Sequence, residues 1–399
     1  MPILGVPNSL VGFVSSLFIF FGGEGIVRTG SANLPLHGGK CPPWLFAKMK
    51  DLSGVLLEVI VLEFGPEEVL RRFSDPYWFQ ALGCVLGFDW HSSGVTTTVC
   101  GAVKEALRER KWDLGVFLAG GKGAASRKTP AEIEEYGEKY SLPQDSHRLI
   151  YASKMAAKVD NSAMQDGYQL YHHVIIFTRN GTWAVVQQGM NEESRYARRY
   201  HWLGRQGLDF VNEPHAAICC DHKRNHLNLV ARESEPNRKI ATLLSREKPS
   251  AVVREFTRAA RFRELTLGAD HDIPQAKNLE RALLRTYEKC PGNFEDLLAV
   301  HGVGPKTIRA LSLVAELAYG AEASYKDPVK YSFAHGGKDG IPYPVDRSGY
   351  DNTISMLTRV IEAARIGQKD KMLLLKKLAG WSQVRSCFHP TQNLKPGTS

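Results

Sequence analysis

Two carboxylates, an imidazole and an amide fall in one short stretch of the chain, at Asp160, Asp166, His173 and Gln188. Oxygen and nitrogen donors of these types are what Mg²⁺ or Mn²⁺ needs in a phosphodiesterase, where the ion activates water and neutralises charge developing on the phosphate. Asp160, Asp166 and His173 are therefore the expected metal ligands, with Gln188 as a catalytic companion. Asp89 and His91, in the run Asp89-Trp90-His91-Ser92-Ser93, form a second candidate pair, and Glu213-Pro214-His215 a third cluster. Each has a plainer reading. His172 and His173 point to opposite sides of any strand, and a strand histidine serves as readily as a satisfied core residue. Asp89 could cap a helix through Ser92 and Ser93. His215, Cys220, His222 and His226 match no standard zinc spacing.

Anion recognition is read from Asn293 to Leu311. Asn293 suits a helix N-cap, Leu297, Leu298 and Val300 supply an apolar face, and Gly302 and Gly304 permit a tight turn. Pro305 then opens a second helix at the position where its missing N–H costs nothing. A helix start of this kind presents unpaired amides and the positive end of its dipole beside Lys306, which suits a DNA phosphate. Gly302, Val303, Gly304, Lys306, Thr307 and Arg309 are the expected contacts; the plain alternative is a helical corner with a glycine turn. Arg254, Arg258 and Arg261 recur at helical spacing and form either a DNA-facing stripe or a solvated face. Arg195, Arg198, Arg199 and Arg205, interleaved with Tyr196, Tyr200 and Trp202, are expected to offer a single strand charge and stacking. Gly120-Gly121-Lys122-Gly123 lacks the rest of a nucleotide-binding loop, but with Ser126, Arg127 and Lys128 it could hold a phosphate.

The elements that must position these groups are of mixed type. Pro43–Phe64 and Pro66–Phe73 read as helices, and Leu114–Ala119 is a short apolar run. Tyr171–Thr178 and Thr182–Gln188, rich in β-branched and aromatic residues, flank Asn180-Gly181 and read as a hairpin. Pairing Arg179 with Thr182 would set His173 opposite Gln188, on one face with Ile175, Phe177, Ala184 and Val186. From Glu247 onward the pattern is helical, over Ser250–Arg263, Asn278–Glu288, Asn293–Val300, Pro305–Tyr319, Asn352–Ile366 and Lys369–Leu378. The expected fold is α+β: residues 27–245 form a mixed α/β, catalytic part around a central hairpin sheet, and residues 246–385 an all-α DNA-binding part. A flexible tail at 386–399 follows.

The whole chain, 399 residues with a formal net charge of +9, has 43% hydrophobic and 23% charged residues. This is the composition of a globular protein with a polyanionic partner. Seven cysteines without a CxxC pair give neither a disulfide framework nor a zinc ribbon, which fits a reducing, cytoplasmic setting. Residues 1–23 carry no charge, yet prolines, glycines and serines break their apolar core, so a membrane anchor is not expected. Residues 1–26 read instead as a non-native extension ahead of a start near Val27. A homodimer is the default oligomer.

Three resemblances follow from these residues. Asn293 to Leu311 resembles the helix-hairpin-helix family, whose Gly-Val-Gly turn grips the phosphodiester backbone. Helix-hairpin-helix glycosylases also carry a lysine where this chain has Lys306 and an aspartate in a Pro-Val-Asp such as Pro344-Val345-Asp346. That resemblance implies a glycosylase or lyase using Lys306 and Asp346, although the interval is about twice that family's and Tyr319–Ile341 would be an insertion. Finally, Arg28–Lys40, Gly87–Gly94, Ala119–Gly123 and Lys330–Lys338 resemble a prokaryotic domain-of-unknown-function family, number 763. It implies a DNA-acting protein, a nuclease for unpaired or distorted structure. Three functions are thus expected in turn: a metal-dependent nuclease of DNA repair, a glycosylase or lyase, and a non-catalytic DNA-binding adaptor.

Overall fold

The computed structural model describes residues 41–86, 93–109, 114–142, 146–220, 225–261 and 274–329. Expectations placed on residues 1–40, Asp89, His91, His222, Lys330–Lys338, Asp346, the helices after residue 350 and the tail lie outside the described residues.

Proline opens several helices at the first turn, where it costs no hydrogen bond. α1 runs from Pro43 to Phe64, α2 from Pro66 to Ser74 and α3 from Pro76 to Val85, and α4 spans Gly94–Glu109. After β1 (Val116–Lys122) come α5 (Ala124–Arg127), α6 (Thr129–Tyr140) and α7 (Ser146–Lys158). A π turn, Val159–Ala163, continues α7, followed by β2 (Met164–Gln165), β3 (Gln169–Thr178), β4 (Trp183–Asn191), β5 (Tyr196–Leu203), β6 (Ala217–Cys219) and β7 (Leu227–Asn228). Helices close the described chain: α8 (Glu235–Leu244), α9 (Pro249–Ala259), α10 (Ala276–Lys289), α11 (Phe294–Ala299) and α12 (Pro305–Tyr319).

The fold is mixed α and β around an antiparallel five-stranded sheet of order β1-β3-β4-β5-β6, with β2 and β7 paired separately. Helices cover both sheet faces. Val116, Leu118, Val174, Ile176, Ala184 and Val186 pack against α1–α4, while Phe117, Ala119, Ile175, Phe177, Val185, Tyr200 and Trp202 pack on the other side. Because neither face meets water, β3 and β4 read as nearly continuous apolar runs rather than alternating ones. On that second side one apolar cluster continues through α7 and α8 into α9–α12, so the sheet and the C-terminal helices share a core across residue 245.

The hairpin register corrects the expected one. Phe177 pairs with Trp183, and the Thr178 amide donates to the Thr182 carbonyl, leaving a three-residue loop with Gly181 at φ 76°. That loop holds one residue more than the two-residue turn assumed from Asn-Gly. His173 consequently faces Gln187, and His172 faces Gln188. A slip of one residue moves Gln188, Ala184 and Val186 to the opposite face from His173, Ile175 and Phe177.

Candidate functional site

His173 is built into a chain of hydrogen bonds that crosses the buried side of the sheet. Its Nδ1 lies 2.9 Å from Gln187 Oε1, and Gln187 Nε2 donates to Asp160 Oδ2 at 2.5 Å. Asp160 also accepts from the Trp202 indole at 3.0 Å and lies 2.5 Å from His215 Nε2. At the other end His173 Nε2 lies 2.7 Å from Ser153 Oγ on α7. The chemistry of each group fixes the direction of the chain. Because the Gln187 amide spends its N–H on a carboxylate, its oxygen faces the imidazole and must accept from Nδ1–H. The lone pair is then on Nε2, facing the serine hydroxyl. Burial holds the His173 imidazole below its ordinary pKa, against the opposing pull of Gln187. Burial likewise raises the Asp160 carboxyl, with His215 pulling it down.

These contacts settle what the expected metal ligands do. Both Asp160 oxygens are taken by protein donors. Asp166 accepts from Arg198 at 3.0 Å, from the Tyr200 hydroxyl at 2.6 Å and from the Tyr168 amide at 3.0 Å. Both nitrogens of His173 are occupied as well. Among the described residues no group of three His, Cys, Asp or Glu side chains converges as a metal would require. As placed, Asp160, Asp166 and His173 do not fit a Mg²⁺ or Mn²⁺ centre. Gln188 works on the far face, donating to the Ser93 carbonyl at 2.8 Å and bonding Thr96 and Tyr171.

The arginine surface expected on β5 also needs correction. Arg198, Arg199, Tyr200 and Trp202 are buried. Arg198 is spent on Asp166 and Asp327, and Arg199 on Thr96 and Gln80, with burial lowering the Arg199 pKa to about 10. In a sheet covered on both sides, a strand arginine has no outward direction. Arg195 and Arg205, in loops, are exposed.

A cavity of about 270 Å³ opens at the serine end of the chain. Ser126, Arg127, Thr129, Pro130, Ser153, Lys154 and His173 line it. Arg127 and Lys154 are exposed on its rim, and Thr129 and Pro130 bring the N-terminus of α6 to it. Glycines make the approach of β1 to His173 possible. A Cβ on Gly120 would lie 2.3 Å from the His173 carbonyl oxygen, and Gly120 has φ 105°. The close pairing of β1 with β3 uses the first of the four-residue glycine run.

A second concavity, about 620 Å³, lies over the turn between α11 and α12, bordered by Gln275, Asn278, Gly302, Gly304, Pro305, Lys306 and Thr307. Asn293 caps α11 by accepting from the Asp296 amide at 2.8 Å. Gly302 takes φ 86°, and Pro305 follows Gly304 as the first residue of α12. Val303 is buried, whereas Lys306 is exposed. Thr307 is buried, and Arg309 donates to Gln165 at 2.6 Å, so these two brace the turn from below. Lys158, at the end of α7, donates to the Val303 carbonyl at 2.6 Å, and Gln165 donates to the Pro305 carbonyl at 2.9 Å. Arg254 and Arg258 are exposed on α9, with Arg258 paired to Glu255 at 3.1 Å.

Reasoning from sequence missed Ser153 and Gln187. Ser153 occupies the apolar face of α7 with Leu149, Ala152 and Ala156, all buried. A hydroxyl in that stripe was the available sign. Compared with known families, residues 30–345 match the model described as protein of unknown function, DUF763. No curated protein and no solved structure matches the chain.

Proposed function

Since the chain belongs to the DUF763 family, whose description assigns no activity, function must be argued from geometry, and we propose that it binds DNA by gripping the phosphate backbone at the turn between α11 and α12. In this reading α11, the turn and α12 act as a helix-hairpin-helix, and residues 246–385 are the DNA-binding part. Gly304 carries the proposal. Its φ of −140° is open to any residue, and a Cβ built there meets nothing within 4 Å. Among the described residues nothing crowds position 304, so glycine there, besides serving as a favourable helix N-cap, leaves room for another molecule's backbone to pass close. The first turn of α12, with the positive end of the helix dipole and Lys306, borders the same concavity. The bonds from Lys158 and Gln165 hold the turn in place before any ligand arrives.

Among the described residues no helix is long and apolar enough to cross a membrane. The net charge of +9 suits a polyanion. A lyase using Lys306 would depend on Asp346, which lies outside the described residues.

The test is the salt dependence of binding. Anisotropy titrations of a labelled duplex with a single-stranded flap, at several salt concentrations, are expected to give a falling linear plot of log K against log [salt]. Lys306→Ala should weaken binding and lower the slope by about 1, the value for one lost phosphate contact. A variant with the wild-type slope and affinity would remove Lys306 from the interface and contradict the reading.

A further inference from the structure

We propose that Ser153 and His173 form a metal-independent nucleophilic site for phosphodiesters, opening into the cationic cavity beside α6. The inference rests on the DNA-binding reading for its natural substrate, but the chemistry stands on its own geometry. Ser53, Thr242 and Thr257 on other helices bond back to the carbonyl four residues earlier, whereas Thr96 on α4 reaches across to Gln188. Ser153 reaches across to an imidazole instead, at 2.7 Å. The imidazole is oriented from behind by Gln187, and Gln187 by the Asp160 carboxylate. A nucleophile, a base and an orienting group in one hydrogen-bonded line are the arrangement that activates a hydroxyl. In a core that only needed its polar atoms satisfied, the line would have no reason to end at a cavity. This one ends between Arg127, Lys154 and the N-terminus of α6.

Those three positive features select an anion. A cavity of about 270 Å³ accommodates one phosphate with the sugar beside it rather than a folded macromolecule. α7 ties this cavity to the proposed DNA grip. Ser153 and Lys154 line the cavity, and Lys158, one turn further along at about 6 Å of helix rise, holds the α11–α12 turn.

The step balances without a co-reactant other than water. Ser153 Oγ attacks phosphorus as its proton passes to His173 Nε2, and the bond from phosphorus to the leaving sugar oxygen breaks. His173 returns the proton to that oxygen, leaving a phosphodiester to Ser153. Water then gives a proton to His173 and its oxygen to phosphorus. The bond from phosphorus to Ser153 Oγ breaks, and the hydroxyl recovers its proton. The products are an alcohol and a phosphate monoester. Ser153 and His173 are the catalytic residues, Lys154 and Arg127 bind the anion, and Gln187 and Asp160 are positioning residues.

The experiment uses the full chain, with bis(4-nitrophenyl) phosphate and chelator present, so that neither the α11–α12 turn nor a metal is needed. The expected result is a burst of about one nitrophenolate per protein followed by slower turnover. Ser153→Ala should abolish the burst and cut turnover by about 10³-fold or more while the protein stays folded and its duplex binding is unchanged. Lys154→Ala should raise KM about tenfold with kcat held. Absence of release, release indifferent to Ser153→Ala, or release only on adding Mn²⁺ overturns the proposal. Duplex binding measured alongside separates the two claims. Binding without a burst leaves a DNA-binding adaptor, whereas a burst without binding overturns the DNA reading and keeps the site.

Discussion

Asp160 sits among three donors, and its loss would leave the Gln187 amide, the Trp202 indole and the His215 ring buried without an acceptor. Each orphaned polar group costs about 1–3 kcal/mol, so Asp160→Ala is expected to destabilise the fold by roughly 3–5 kcal/mol. The check is the urea midpoint at unchanged slope; a loss under about 1 kcal/mol would show that the chain of bonds is not formed. The sequence made Asp160 and His173 visible as chemically capable residues but not the protein donors and acceptors that occupy them. Two carboxylates near a histidine look alike whether they await a metal or accept from Arg198, Tyr200 and Trp202. The difference is supplied by β5, whose buried side chains arrive from a distant part of the chain. Gln187 and Gln188 could not be told apart either, since their roles depend on a register set by one loop residue.

At the level of elements, local chemistry was decisive where it was strong. Pro305 at a helix start and Asn293 as a cap bracket α11 and α12 at the positions expected from their types alone. Asn180-Gly181 marked the turn between β3 and β4, although a three-residue loop replaced the two-residue one and shifted every side chain beyond it. What had no local mark was the π turn at Val159–Ala163, which carries Asp160 and is closed by the Met164 amide bonding the Val159 carbonyl. Widened turns of this kind frequently occur at functional sites. Nor could helices on both faces of an antiparallel sheet be read from patterning, because double burial erases the alternation that separates inside from outside. That is why β5, with its four arginine and aromatic side chains at Arg198–Tyr200 and Trp202, looked like a surface.

Among the described residues an apolar cluster lies on each face of the sheet and one of them continues into the C-terminal helices, so stability should respond to acid as a unit. Burial holds His172 and His201 down to about 3, whereas unfolded histidine titrates near 6.5. Among the described residues neither ring nitrogen of His172 has a hydrogen-bond partner. A lowered value in the folded state means that the unfolded chain takes up protons first as pH falls, so the stability present above pH 6.5 is lost toward pH 3. Two such groups give a loss approaching about 2.7 kcal/mol per pH unit below pH 6, and His173, also held down by burial, adds to it. The raised Asp160 carboxyl opposes this by at most one proton in the range where it titrates. Urea unfolding at pH 7, 5.5 and 4.5 is expected to show the decline, and His172→Leu to remove a substantial part of it. Equal stability at pH 7 and 5 would contradict the burial of both rings.

The account turns on whether DNA passes against Gly304. The direct measurement is the affinity of full-length Gly304→Val for a labelled flap duplex beside its thermal unfolding, with Gly302→Ala as the contrast. Gly302 has φ 86°, so its alanine is expected to cost about 1–2 kcal/mol of stability. Gly304→Val is expected to cost about 1 kcal/mol as a poorer helix N-cap and to stay folded at the assay temperature, yet to bind at least about tenfold more weakly. A correctly folded Gly304→Val that holds the duplex as tightly as wild type would contradict it.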